Sequence, residues 1–536
     1  MRTRWTGFCV LAAGFAVLAG PARAADLRIG LAAEPSTLDP HFHNMAPNNA
    51  MTRNLFDALV EQDERKQIGP GLATAWRTVD PTTWEFKLRP NVKFHNGAPF
   101  TAQDVVFSLC RVPQVPNSPS PFTVSMKAVA GVEAVDPLTV RVRTAKPYPL
   151  MAIDLSSVRI VSASTGKVTG PIVFKKSGCE GIAAYPTTEE FNSGKAAIGT
   201  GPFKFKQFVK GDEVVLARND AYWGRKPAWE TVTFKPIPSD GPRVAALLAG
   251  DVDMIENPPS QDLPKLRKNP KVTVVDTLSS RVIYIELDVQ PGPTKGVKVA
   301  DRNPLHDPRV RQALSIAIDR KAIDTRIMGG QAEPASQILT TGLFGSDPDL
   351  KVAPFDPKKA RELLAAAGYA KGFELTLTTP NDRYMNDEKI AQAIAQYWTR
   401  IGVKTTVDAM TKSVFFSRRA KKEFSVALSG WGTNTGEASS PLKAMVACVN
   451  RELGYGTNNY INYCNEKLDA ALTEALSTID DAKRGALYRR AMDIAIGDAA
   501  VIPIHYEKTP WALRQGLTYK ARMDQYTLAA EVTPVK

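Results

Sequence analysis

Short apolar runs and longer amphipathic stretches follow one another along the chain, and their order predicts a mixed α/β protein. The run 27–32 predicts a buried strand, and 47–63 predicts a helix behind a proline-bounded turn. Residues 83–97 alternate apolar and polar on both sides of Arg89-Pro90-Asn91, as an antiparallel hairpin would. Thr101, followed three residues on by Asp104, predicts a capped helix over 102–112, and 137–144 reads as another strand. From 145 to 197 the periodicity is weak.

Later the pattern becomes more helical. Asp307-Pro308 and Asp356-Pro357 each supply an N-cap and a first-turn proline, ahead of helices over 309–328 and 358–367. The helix-stopping positions are Gly329-Gly330 for the first and Gly368 for the second. A strand at 373–379, a helix at 386–402, a strand at 403–410, a helix near 412–423 and a strand at 424–429 then alternate. This β-α-β-α-β order predicts a largely parallel sheet with helices on both faces. Helices at 466–477 and 479–496 follow, and 500–507 closes the core as a strand. The apolar run ending at Gly430-Trp431 gives way to a dozen small and polar residues, which predicts a loop with an indole at its mouth.

The N-terminus places this fold outside the cytoplasm. Arg2 and Arg4, an apolar run over 5–18, Gly20-Pro21 and Ala22-Arg23-Ala24 form a secretory signal peptide with cleavage before Ala25. The run is too short for the roughly 20 residues of a membrane span, and Cys9 lies too early for a lipidated product. The remaining cysteines, Cys110, Cys179, Cys448 and Cys464, are even in number and suit disulfides in an oxidising compartment; three pairings are open. Cys448 and Cys464 bracket a Gly- and Asn-rich loop, where a bridge contributes about 3 kcal/mol. Cys110 with Cys179 would then remain. At 536 residues and 43% apolar composition the chain calls for two or three domains. The net charge of +13 is spread rather than clustered, which argues for solvated surface and against nucleic acid.

Catalytic and cofactor motifs are missing from the sequence: no GxSxG, HExxH, Walker or dinucleotide loop occurs. The sequence "GTGPFKF" at Gly199 leads into a strand, so it reads as a turn rather than a phosphate cradle. His41 and His43 have the spacing of a metal pair on a strand but lack acidic or cysteine company. No cofactor or metal is expected.

Several ordered segments carry a resemblance. "LAAEPSTLDPHFHNMAPNNAMTRNLFDALVEQD", "LATAWRTVDPTTWEFKLRPNVKFHNGAPFTAQDVVFSL", "IGTGPFKFKQFVKGDEVVLARNDAYWG", "ALLAGDVDMIE", "NPLHDPRVRQALSIAIDRKAI" and "VIPIHYEKTPW" are similar to the extracytoplasmic solute-binding proteins, family 5, of peptide and nickel ABC importers. The resemblance implies a periplasmic-binding-protein-like α/β fold: two lobes, the first with an added subdomain, two hinge strands, and a ligand cleft between the lobes. It puts the first lobe at 25–56, 197–281 and 503–536, the subdomain at 57–196 and the second lobe at 282–502. It also implies a monomeric periplasmic protein that hands its solute to an inner-membrane permease and catalyses nothing.

Ligand contacts carried over by position are Asn44, Met45 and Ala46, then Phe122, Glu256, Asn257, Arg281 and Tyr284, and in the loop Trp431, Gly432, Thr433, Asn434 and Glu437. Peptide binders of the family follow Gly-Trp with an aspartate that pairs with the ligand's α-ammonium. Here Asn434 stands in that place. Either Glu437 or Glu256 takes over the role, or the ligand has no free amine there. The implied ligand is an oligopeptide or modified peptide, with another polar solute such as an opine, sugar conjugate or metal chelate as the alternative. A secreted hydrolase or a chaperone-like holder is the reading outside transport.

Overall fold

The computed structural model describes residues 26–176, 178–299 and 301–535, so the signal peptide expected over 1–24 lies outside the described residues. A twelve-stranded mixed sheet forms the spine. Its order runs Phe203–Val209, Glu213–Arg218, Thr231–Pro236, Asp26–Leu31, Met254–Glu256, Val501–Arg514, Val272–Leu287, Val426–Gly432, Phe373–Pro380 and Val297–Lys298, with Val403–Met410 and Ala332–Pro334 pairing off this path. A smaller four-stranded sheet stands beside it, ordered Ala73–Asp80, Thr83–Leu88, Thr139–Thr144, Val129–Asp136.

Two strands span the large sheet. Val272–Leu287 and Val501–Arg514 pair antiparallel from Val272↔Arg514 to Glu286↔Val501. At one end Val501–Arg514 pairs Met254–Glu256, and at the other Val272–Leu287 pairs Val426–Gly432. The sequence explains why they stay within the sheet: residues 282–287 are apolar or paired and buried on both faces. Because successive side chains of a strand point to opposite faces, Ile283, Ile285 and Leu287 enter one core while Val282 and Tyr284 enter another. A third, larger core unites the N-terminal strand, the four-stranded sheet and Trp511, Leu513 and Val532 near the C-terminus.

Several expectations change. The predicted parallel sheet holds for Phe373–Pro380 with Val403–Met410 and Val426–Gly432, but the neighbouring long strands are antiparallel, so the sheet is mixed. The helix expected over 47–63 ends at Thr52. The carbonyls of Asn54 and Leu55 accept from Phe203 and Gly201 at 3.0 Å each, leaving no acceptors to continue it, and Val60–Gln62 becomes a strand. This pairing explains the glycines of the "GTGPFKF" turn: a Cβ on Gly199 would lie 2.0 Å from the Leu55 carbonyl oxygen. The hairpin expected around Arg89-Pro90-Asn91 is displaced; Thr83–Leu88 pairs backward with Ala73–Asp80 instead. The helix expected over 309–328 breaks after Ile316, because the Asp319 side chain accepts from the Ala322 amide at 2.9 Å and starts a new turn. Trp431 is not in a loop but in the strand, paired with Val282.

The capping box at Thr101 and Asp104 forms as expected. Cys110 is bonded to Cys179 and Cys448 to Cys464. Among the described residues, no helix is long and apolar enough to cross a membrane. His41 is occupied structurally: Arg111 donates to its Nδ1 at 3.1 Å, and its Nε2 lies 2.7 Å from the Arg159 carbonyl.

His505 is a different case. It sits on Val501–Arg514 opposite Ile283, fully buried, with neither ring nitrogen partnered among the described residues. Burial alone pushes its pKa down to about 3. A histidine whose folded pKa is depressed contributes stability above about pH 6.5 that is lost as pH falls toward that value, about 2 kcal/mol by pH 5. A leucine has nothing to protonate. His505→Leu should therefore narrow the stability gap between pH 8 and pH 5 by about 2 kcal/mol; denaturant melts at the two pH values check this, and an unchanged gap would exclude His505 as the source.

Candidate functional site

Chain direction brings the site together. In open sheets of this kind, ligands sit beyond the carboxyl ends of parallel strands. Asp26–Leu31 and Met254–Glu256 are parallel and end at Ala32 and Asn257; Phe373–Pro380 and Val426–Gly432 are parallel and end at the 381–386 and 433–437 loops. Ala32, Glu256, Asn257, Arg383 and Tyr384 bound a cavity of about 640 Å³, and the long strands add Arg281 and Glu507 to its wall.

Charge in this cavity is mostly spoken for. Arg281 Nε lies 3.2 Å from Glu507 Oε2, Arg281 Nη2 donates to Gln525 Oε1 at 3.3 Å, and the guanidinium stands 5.9 Å from the Tyr384 ring centre. Burial pushes the Glu507 carboxyl up, Arg281 opposes it, and Glu507 Oε1 has no partner among the described residues. Glu256 is held by two donors, the Ala32 amide at 2.8 Å and the Thr527 hydroxyl at 2.6 Å, while burial raises its pKa. Asn257 takes the left-handed conformation (φ 48°), which directs its carbonyl to Arg243 Nη2 at 2.8 Å. Arg383 lies over Tyr384 at 5.1 Å and forms no ion pair among the described residues.

A second cavity of about 30 Å³ lies where the largest core meets the Val426–Gly432 side, lined by Asn44, Asn49, Arg53, Arg159, Asn434 and Tyr526 among others. Asn49 Nδ2 donates to Asn44 Oδ1 at 2.9 Å and to the Tyr526 hydroxyl at 3.2 Å. Beside it Gln62 Nε2 donates to the Thr435 carbonyl at 3.2 Å, a contact between the two halves of the molecule.

The sequence-predicted residues therefore divide. Ala46, Glu256, Asn257 and Arg281 share the large cavity, and Asn44 and Asn434 share the small one. Met45 is the exposed N-cap of Ala46–Thr52. Gly432 is in register with Arg281, and a Cβ there would meet its guanidinium at 3.6 Å. Trp431 is half-buried, donating to the Ser440 hydroxyl at 3.2 Å, and Thr433 is buried, its amide donating to the Ser280 carbonyl at 3.2 Å. Phe122 and Tyr284 are core residues: Phe122 packs near His41, and the Tyr284 hydroxyl donates to Glu286 at 3.0 Å. Glu437 is buried away from both cavities, accepting from the Tyr488 hydroxyl at 3.0 Å.

Arg383, Tyr384, Glu507, Gln525, Arg53 and Arg159 were not anticipated. A signal existed for the first two: an arginine and an aromatic in the polar stretch "NDRYMND", directly after a strand predicted to be parallel.

The large core on one side and the two smaller cores on the other, bridged by a pair of shared strands with a polar cavity at the crossing, define a two-lobed solute-binding protein. The family model described as bacterial extracellular solute-binding proteins, family 5 Middle, matches residues 67–452, and the chain belongs to that family. It is 28% identical over 521 residues to the glutathione-binding protein GsiB of Escherichia coli, covering 96% of this chain and 95% of that one. Among solved structures, the periplasmic murein tripeptide binding protein MppA in its unliganded open form matches with a TM-score of 0.78 at 26% identity, over 96% of this chain and 98% of that one. HbpA2 from Haemophilus parasuis matches with 0.79 at 26% identity, over 95% and 100%. The first two of these are named as binding proteins, and the fold is the two-lobe α/β fold of the periplasmic binding proteins.

Proposed function

We propose that this protein is exported, loses its first 24 residues before Ala25, and captures a peptide or peptide-like solute for an ABC permease as a monomer without catalysing a reaction. The lobes divide as the resemblance implies: 25–56, 197–281 and 503–536 form the first, 57–196 its subdomain, and 282–502 the second. One observation carries this reading: the 640 Å³ cavity draws its wall from both sides of the paired long strands, with Arg281 and Arg383 together on it. A pocket of this size holds a small peptide or a solute of similar bulk. Asn44, Ala46, Glu256, Asn257, Arg281 and Asn434 contact the ligand, joined by Arg383 and Tyr384, while Trp431 and Gly432 shape the wall beside Arg281.

Physical economy supports a binding role. A ligand favours closure only by its differential affinity for the closed form, so contacts must come from both lobes. Among the described residues Arg383 forms no ion pair, and it suits a ligand carboxylate, to which guanidinium groups bind with two parallel hydrogen bonds. The relatives named for glutathione and murein tripeptide fit a ligand of about three residues. Native mass spectrometry of the purified protein should show a retained small solute, released on denaturation, with a mass in the range of a short peptide or its conjugate. A protein that emerges empty and binds no member of a defined tripeptide mixture would refute the reading.

A further inference from the structure

The small polar cavity differs from the large one in the charges that face it. Its charged lining is cationic: Arg53 and Arg159, with no carboxylate among the lining residues. The nearby acids lie behind these guanidinium groups and are already engaged. Glu61 accepts from Arg53 Nη2 at 2.8 Å and pairs with Arg159, and both arginines outweigh burial to hold its carboxyl below the usual range. Asp524 accepts from Arg522 Nη2 at 2.7 Å. Asp57 turns away, accepting from the Thr200 hydroxyl and the Trp223 indole at 2.8 Å each.

A further cation, Lys66, stands near this group, outside the lining of the small cavity. Lys66 is 5% exposed, and among the described residues its ammonium has no hydrogen-bond or ion-pair partner. Burial pushes it down to about 8, with Asp524 opposing and Arg522 and Arg53 adding. It touches the second lobe at Gly436, two residues from Asn434. Neither carboxylate able to replace the missing aspartate reaches this cavity: Glu437 is buried against Tyr488 outside its lining, and Glu256 is held by Ala32 and Thr527 in the large cavity. A buried ammonium brought here would find amides, hydroxyls and cations, an arrangement that penalises it and rewards an anion.

Accepting the peptide-like ligand proposed above, we infer that the small cavity receives an acidic group of that ligand, a carboxylate or similar anion, and rejects a free α-ammonium. Its 30 Å³ admits a small terminal group and excludes a larger side chain, so charge rather than size selects the occupant. The solute is then acidic at both ends, with one carboxyl near Arg383 and another between Asn44, Arg53 and Asn434.

The test offers the full-length mature protein an equimolar mixture of tripeptides with free, acetylated and succinylated N-termini, and reads the retained species by native mass spectrometry and their affinities by calorimetry. The succinylated forms should bind at least tenfold tighter than the free-amine forms. Asn434→Asp should shift this preference toward the free amine by tenfold or more. Lys66→Met should weaken the succinylated forms about tenfold and leave the acetylated ones unchanged, with Lys66→Arg restoring binding if the methionine variant folds poorly. Tightest binding of free-amine peptides to the parent protein would overturn the inference and leave the peptide reading intact. Retention of none of the three would overturn both.

Discussion

Arg281→Met should cost the protein both its ligand and part of its stability, and the two losses should separate. Arg281 and Glu507 are 17% and 9% exposed at their side chains, and among the described residues Glu507 already has one unpartnered oxygen. Removing the cation leaves a buried carboxylate uncompensated, at about 3–5 kcal/mol. Burial holds the Glu507 carboxyl above its ordinary value, so the stability tied to its protonation is complete below about pH 4.5 and lost as pH rises through the raised folded value. The variant should therefore melt lowest at alkaline pH. Affinity should fall about 10–100-fold, the worth of one charge-assisted hydrogen bond of about 1.5–3 kcal/mol. Adding Glu507→Gln removes the orphaned charge and should restore the melting temperature without restoring the ligand. If calorimetry shows that the double variant binds like the parent, Arg281 serves only to neutralise Glu507.

The same pair shows what the sequence could and could not disclose. A charge beside an apolar strand, such as Arg281 or Glu256, is conspicuous because it needs a partner, and both line the cavity. Its partner is not conspicuous: Glu507 lies more than two hundred residues on, and only the pairing of the two long strands brings it close. Glu437 erred in the opposite direction. It is expected to meet the ligand in place of the aspartate, but Tyr488 and Arg484 on helix Asp481–Gly497 enclose it.

Local signals fared better where the cause was local. The side chains of Asp307 and Asp356 accept from the Arg309 and Lys359 amides at 2.8 Å each, so both Asp-Pro helix starts are where the sequence puts them. Alternation in 83–88 reported a strand correctly but named the wrong partner, the segment after Arg89-Pro90-Asn91; Thr83–Leu88 pairs instead with Ala73–Asp80 on one edge and Thr139–Thr144 on the other. The helix expected over 47–63 failed because acceptors at Asn54 and Leu55 were taken by residues almost 150 positions away. Periodicity carries no information about such competition.

Closure of the lobes gives the second large effect, expected from a single methyl group at Gly436. This glycine has φ +74°, and a Cβ on it would lie 2.9 Å from the Lys66 Cβ and 3.1 Å from the Lys66 carbonyl oxygen. The facing turn cannot readily yield: Lys66 donates its amide to the Asp63 carbonyl at 3.0 Å, and the Asp63 carboxylate accepts from Arg65 and Gln67 at 2.9 and 2.8 Å. Gly436→Ala should thus hold the lobes apart at the edge nearest the small cavity and weaken ligand binding about 10–100-fold, mainly through faster release. Backbone strain alone is a rival cause, since alanine at positive φ costs about 1 kcal/mol. Gly342→Ala controls for it: φ there is +88° with no atom within 4 Å of the added carbon, so the strain is matched and the collision is absent. Stopped-flow release rates should rise in the first variant and stay at the parent value in the second. Equal rates in both would mean that the contact between Lys66 and Gly436 does not limit closure.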